Sequence, residues 1–207
     1  AYKTIVKYHR LRYRLMPYLY SMAGAVHLTN YTIMRPLIMD FNGDSAVNDI
    51  KDQWMFGPAL MPCPVTEYGA RSRQVYLPKQ TGWFEFNTNR YYVGNQVITA
   101  YAPFESIPVF VPEGAIIPIG PEIEWTDQKP ADPITLYVFQ GRNGEFTLYE
   151  ESSPLFGLPT MTPTIPSPSA TVMVPTTVCS RVAHSVLSIA RRTQQSLNST
   201  PIMSLQK

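Results

Sequence analysis

From residue 2 to 26 the apolar positions recur every three or four residues. Tyr8, Leu11, Leu15, Leu19, Met22 and Val26 form one stripe, the period of an amphipathic helix. Lys3, Lys7, Arg10 and Arg14 recur at the same spacing beside it. The pattern predicts a helix lying on a core, with long cations at its solvated edge whose stems cover apolar surface. Pro17 removes a backbone donor and predicts a bend or a local end. Gly24 is a candidate late cap, although Val26 continues the stripe.

After a short apolar run, IMRPLIMDF (33–41), and the turn chemistry of FNGD (41–44), the helical period does not return. Short apolar and aromatic runs bounded by Gly, Pro and Asn follow instead: WMFGPALMPCPV (54–65), RQVYLP (73–78), GWFEF (82–86), RYYVG (90–94), QVITAYAP (96–103), SIPVFVPEGAIIPIG (106–120), ITLYVF (134–139) and EFTLYE (145–150). That succession predicts a mainly β, antiparallel domain. Abundant proline favours edge strands and tight corners. Gly141-Arg142-Asn143-Gly144 lies between two alternating runs and predicts a hairpin.

At residue 152 the character changes. Ser, Thr and Pro supply 25 of the 56 residues from 152 to 207, which hold no Asp, Glu, Trp or Tyr. Within this stretch TVMVPTTV predicts a strand and RVAHSVLSIARR (181–192) a short helix. The tail as a whole reads as mostly irregular and linker-like.

Charge adds one point. The 207 residues carry a formal +2, yet residues 1–151 hold all 15 acidic residues and 13 of the 17 Lys and Arg, about −2. A helix with a wide apolar face ahead of a slightly acidic domain argues against a nucleic-acid partner. No apolar run reaches the roughly 18–20 residues of a membrane span. The chain opens directly in helical pattern, without Met or a signal-peptide core, as a piece of a longer polypeptide would. Cys63 and Cys179 are far apart in unlike contexts and make no disulfide framework.

Candidate chemistry is sparse. Asp40, Asp44, Asp49 and Asp52 fall within 13 residues; the economical reading is structural, a turn at Asp44 and a cap or ion pair with Arg35, with ligand contact or catalysis as the alternative. His9, His27 and His184 lack metal-ligand spacing, so no metal is expected. FGP (56–58) is a turn or close-approach feature, since no P-loop, dinucleotide fingerprint or nucleophile-elbow pattern is present. Trp54, Trp83 and Trp125 read first as core or rim aromatics and second as rings for stacking on sugar.

The ordered blocks RYRLMPYLYS (12–21), MRPLIMDF (34–41), DSAVNDIKDQWMFGPAL (44–60), PV (64–65), RQVYLP, GWFEF, APFESIPVFVPEGAIIPIGP (102–121) and LYVF…GEFTLYE (136–150) together resemble the retaining α-glucosidases and α-xylosidases of glycoside hydrolase family 31. The resemblance implies that residues 1–28 are the last helix of a (β/α)8 barrel, 29–60 the passage out of it, and 61–151 the proximal β-domain. It implies oligosaccharide as the partner, met through a barrel upstream of residue 1, and no cofactor. Both catalytic aspartates would lie in that barrel, so the resemblance assigns no catalytic, cofactor or metal residue here. VTEYGARSRQVYLP (65–78) and PEIEWTDQKPADPITLYVF (121–139) look most like bacterial α-xylosidases acting on xyloglucan oligosaccharides, with an α-glucosidase as the alternative. A stand-alone structural or carbohydrate-binding β-module is the second alternative. The resemblance ends near 151, so residues 152–207 are not expected to form the family's distal domain. The chain alone is expected to buttress a barrel rather than to turn over substrate.

Overall fold

A computed structural model describes residues 1–126, 128, 129, 131 and 133–149, and the backbone of 170–174, 184–189 and 204–206. Two helices, α1 (Tyr2–Arg14) and α2 (Met16–Thr29), precede β1 (Met34–Pro36) and the short α3 (Leu37–Asp40). Then come β2 (Trp54–Phe56), β3 (Met61–Pro62), β4 (Ser72–Leu77), β5 (Trp83–Glu85), β6 (Tyr91–Tyr92), β7 (Gln96–Tyr101), β8 (Val109–Pro112), β9 (Ile116–Ile119), β10 (Ile134–Phe139) and β11 (Gly144–Leu148). The last strands are β12 (Ala170–Val174), β13 (His184–Ile189) and β14 (Ser204–Gln206). Every described pairing is antiparallel, and each apolar run between 54 and 150 contains a strand, as expected. Two runs hold two strands each, split at glycines with positive φ: Gly57 (+63°) and Gly114 (+79°).

Pro17 divides the predicted helix, and the structure shows what the bend admits. Leu15 leaves helical geometry at φ −79°, ψ 1°. The Arg14 carbonyl, which in a continuous helix would accept from the Tyr18 N–H, instead accepts from the Gly120 N–H at 2.7 Å. A Cβ built on Gly120 would already touch the Pro17 ring at 3.4 Å. The end of β9 is thus tied to the helix by a carbonyl that the kink sets free.

Two cores lie on opposite faces of the sheet ordered β3-β8-β5-β6. Successive residues point to opposite faces of a strand. Phe84 and Val111 accordingly join Tyr18, Met22, Ile116, Ile117, Leu136 and Phe146 in one core. Their neighbours Trp83 and Phe110 join Leu37, Met55, Met61, Val75 and Leu77 in the other. At roughly 25 cal/mol per Å² of apolar area removed from water, such two-sided burial is what makes these short strands stable.

Four local expectations change. The helix presses Tyr18 and Met22 onto the core, while Leu15 and Leu19 are only half-buried and Val26 is exposed. Leu15 and Leu19 pack against the same core as Tyr18 and Met22, so the expected stripe holds from 15 to 22 and is lost at Val26. Gly24 caps nothing: its missing side chain admits the Tyr149 ring, whose nearest atom would lie 2.5 Å from an added Cβ. The helix ends at Asn30, in left-handed geometry at φ 56°. The segment 141–144 makes no hairpin, because β10 pairs with β9 and β13 while β11 pairs with β12. Gly144 packs so closely on the Gly114 carbonyl that the chain crosses between two sheets there. Finally, His184–Ile189 is a strand rather than a helix, paired along the whole edge of β10; an open strand edge supplies backbone partners that outweigh weak local helix propensity. The β12, β13 and β14 pairings carry sheets begun before residue 151 across that position. The rest of 152–207, including the expected irregularity of the tail, lies outside the described residues.

Candidate functional site

The four clustered aspartates are drawn to different partners. Asp40 receives Arg35 Nε at 3.0 Å and a second guanidinium nitrogen at 2.9 Å, and Arg35 also lies over the Tyr31 ring. Asp44 is buried. Its Oδ2 accepts from the Tyr76 hydroxyl at 2.7 Å and the Lys79 N–H at 2.9 Å, and its Oδ1 accepts from the Ala46 N–H at 3.2 Å. Burial pushes the Asp44 carboxyl pKa upward, but these three donors and the Lys79 charge outweigh it and hold it below the ordinary value. Asp52 binds Arg73 at 2.7 Å, and that guanidinium also donates to the carbonyls of Asp52 and Pro64. Asp49 is exposed. Asp44 forms the expected turn and Arg35 the expected ion pair.

A retaining glycosidase sets two carboxyls about 5 Å apart across one open gap. Asp40, Asp44 and Asp52 are instead each held by donors of their own. His9 and His27 are exposed, and the side chain of His184 lies outside the described residues, as does Cys179. Among the described residues no three His, Cys, Asp or Glu side chains converge. Cys63 is fully buried, and burial pushes its thiol up to about 12, which leaves it inert. Trp83 is core, donating to the Pro78 carbonyl at 3.0 Å, whereas Trp54 is half-buried and Trp125 exposed.

What the chain does display is a set of exposed apolar side chains on its first 41 residues. Tyr2, Ile5, Tyr20, Val26, Leu28, Met34, Ile38 and Met39 are exposed, half of the sixteen exposed large hydrophobics among the described residues. α1 has no buried residue, although Lys7 reaches the Glu105 carbonyl at 3.3 Å and the Tyr8 hydroxyl accepts from the Ile107 N–H. The helix pair is therefore anchored to the β-sheets on one side and exposed on the other, where apolar and charged side chains alternate.

The anchors on the inner side were not singled out from the sequence. The Tyr18 hydroxyl, wholly buried, donates to the Phe56 carbonyl at 2.8 Å and accepts from the Ala59 N–H at 3.2 Å, and its ring stacks on Phe146 at 5.8 Å. Gly57 permits this approach: a Cβ there would collide with the Tyr18 hydroxyl, the close-approach role expected of FGP. Ser21 accepts from the Tyr149 N–H at 3.0 Å. Gln53, buried, pairs its amide with β4, donating to the Tyr76 carbonyl at 2.8 Å and accepting from the Tyr76 N–H at 3.0 Å. A polar residue beside an aromatic run was the sole sequence trace of Gln53, and it names no partner.

Residues 30–117 match the family described as Glycosyl hydrolase family 31 C-terminal domain. The chain is 40% identical over 149 residues, 72% of its length, to an alpha-xylosidase of Saccharolobus solfataricus, of which it spans 20%. It is 36% identical over 129 residues, 61% of its length, to the neutral alpha-glucosidase AB of Mus musculus, spanning 14% of that protein. A crystal structure of a family 31 alpha-xylosidase from Xanthomonas citri superposes with a TM-score of 0.71 at 48% identity, over 73% of this chain and 16% of that one. An antiparallel β-domain, a helix pair exposed on one side and a match confined to the C-terminal part of such enzymes agree: this chain belongs to glycoside hydrolase family 31, a family of glycoside hydrolases, through its C-terminal domain.

Proposed function

We propose that this chain is the C-terminal buttress of a retaining, exo-acting α-xylosidase that removes α-xylosyl groups from xyloglucan-type oligosaccharides. In this reading residues 1–28 are the last helix of a (β/α)8 barrel, 29–60 lead out of it, 61–151 form the proximal β-domain, and 152–207 are not the distal domain. The barrel, in sequence preceding residue 1, supplies two aspartates: one attacks the anomeric carbon, and the other protonates the leaving oxygen and then activates water. In this reading neither role falls to Asp40, Asp44 or Asp52, each of which is bound to internal donors.

The observation that carries the choice of sugar is the graded likeness. Identity is 40% and 48% to the two alpha-xylosidases against 36% to the alpha-glucosidase. The exposed apolar side chains of α1 and α2 support the buttress role. The test is an assay of a polypeptide containing this chain against aryl α-xyloside and aryl α-glucoside. The xyloside is expected to show the higher kcat/KM, and this chain alone to turn over neither. Preference for the glucoside would replace the α-xylosidase reading with the α-glucosidase one. Turnover by the chain alone, abolished at Asp40 or Asp52, would end the buttress reading.

A further inference from the structure

We propose that the outer edge of the β4–β7 ribbon is a binding surface for a neutral oligosaccharide. A groove of about 290 Å³ runs beside β4, lined among others by Asp52, Thr66, Glu67, Ser72, Arg73 and Gln74. That is close to the ~300 Å³ at which small-molecule sites begin. Three exposed aromatic rings lie on the segments that adjoin it. Tyr68 is fully exposed on the loop that forms the groove wall. Tyr101, 71% exposed, lies directly opposite Ser72 in the β4–β7 register, so the two side chains share a face about 5 Å apart at Cβ. Phe104, 74% exposed, follows three residues later.

The Phe104 ring is held in place. The Arg71 guanidinium sits 3.2 Å from its centroid, and that guanidinium donates to the carbonyls of Gly69 and Ala70, both at 2.9 Å. The Ala102 N–H donates to the Arg71 carbonyl at 2.8 Å, which ties the segment bearing Tyr101 and Phe104 to the groove loop. Single exposed rings are ordinary on protein surfaces. Three on adjoining segments are a group rather than singletons, and Phe104, backed by a fixed cation, has little rotamer freedom left to lose on binding.

The chemistry of the lining selects the ligand. The cations are already engaged: Arg73 holds Asp52 and two carbonyls, and Arg71 holds Phe104 and two carbonyls. Glu67 adds a negative charge, so a phosphate or nucleic acid finds no free cation there. The groups that remain are hydroxyls (Thr66, Ser72), a carboxylate and the Gln74 amide, which donates to Thr99 Oγ1 at 3.0 Å and keeps its oxygen as an acceptor. Donors and acceptors beside flat apolar rings suit a sugar, whose hydroxyls lie at the ring edge and whose C–H groups face an aromatic plane. A chain of neutral sugars, with one unit in the groove and the next on Tyr101, fits this layout. The inference rests on the family 31 reading only for the choice of test sugars.

Isothermal titration of the full 207-residue chain with a xyloglucan heptasaccharide and with maltoheptaose is the test. Binding of a neutral oligosaccharide is expected. Tyr101→Ala and Gln74→Ala should each weaken it about tenfold, ~1.4 kcal/mol, without altering thermal unfolding. Val97→Ser, at the other end of the ribbon, should leave it unchanged. Binding of maltoheptaose alone would uphold the surface while counting against the xyloglucan reading. Absence of binding to both sugars, undiminished binding by the Tyr101 and Gln74 variants, or preference for a polyanion such as heparin would overturn the proposal and leave the α-xylosidase reading untouched.

Discussion

Replacing Asp44 separates a stabilising carboxylate from a catalytic one. Its two oxygens take three hydrogen bonds, from the Tyr76 hydroxyl at 2.7 Å, the Lys79 N–H at 2.9 Å and the Ala46 N–H at 3.2 Å. Bonds to an ionised acceptor contribute about 1.5–3 kcal/mol each in isolation, and neighbouring bonds do not simply add. Asp44→Asn keeps one acceptor oxygen for the Tyr76 and Lys79 donors, loses the charge that doubles their strength, and turns an N–H₂ toward Ala46. It should cost about 2 kcal/mol; Asp44→Ala, which strands the Lys79 N–H as well, should cost about 3–4 kcal/mol. The pH dependence supplies the second check. The folded-state pKa of Asp44 is depressed, so its contribution is fully present above the unfolded value near ~3.9 and is lost as pH falls through the folded value. The gap between wild type and Asp44→Asn in urea unfolding should therefore be constant from pH 7 to 5 and close below pH ~4, where the protonated acid resembles the amide. A gap under 0.5 kcal/mol at pH 7, or one that persists unchanged to pH 2.5, would refute the assignment of these bonds.

Tyr18→Phe removes the hydroxyl between the Phe56 carbonyl and the Ala59 N–H and leaves both without that partner; it should cost about 2 kcal/mol by chemical unfolding. Gly94→Ala places a Cβ 2.3 Å and 2.5 Å from the backbone carbonyls of Thr81 and Pro78, and should cost roughly 2 kcal/mol. Gly120→Ala, whose Cβ finds its nearest atom at 3.4 Å, should cost less than half as much in the same thermal-unfolding series. Ile5→Asp changes a residue 55% exposed here; it should shift the stability of this chain by no more than about 0.5 kcal/mol. In a polypeptide that includes the barrel the same substitution should lower the unfolding temperature measurably, and equal, small effects in both would count against α1 as a docking face.

Local chemistry in the sequence determined much of this protein. Apolar runs bounded by Gly, Pro and Asn became strands, because extended backbone and turn conformations depend on residues a few positions apart. The Pro17 break, the Asp44 turn and the Gly57 close approach were legible for the same reason. The resemblance to family 31 rested on ordered blocks and needed no coordinates. The tertiary structure decided everything that depends on residues distant in the chain. Which strand meets which is a matter of edges left open, so 141–144 became a crossover and His184–Ile189 a strand. The split of Trp83 from Phe84 and of Phe110 from Val111 into separate cores requires a sheet buried on both faces. Gly24 admits the ring of Tyr149, and Gly120 takes the carbonyl that Pro17 freed. Neither contact leaves a local trace, since a backbone hydrogen bond and a missing side chain look alike in every sequence that contains them.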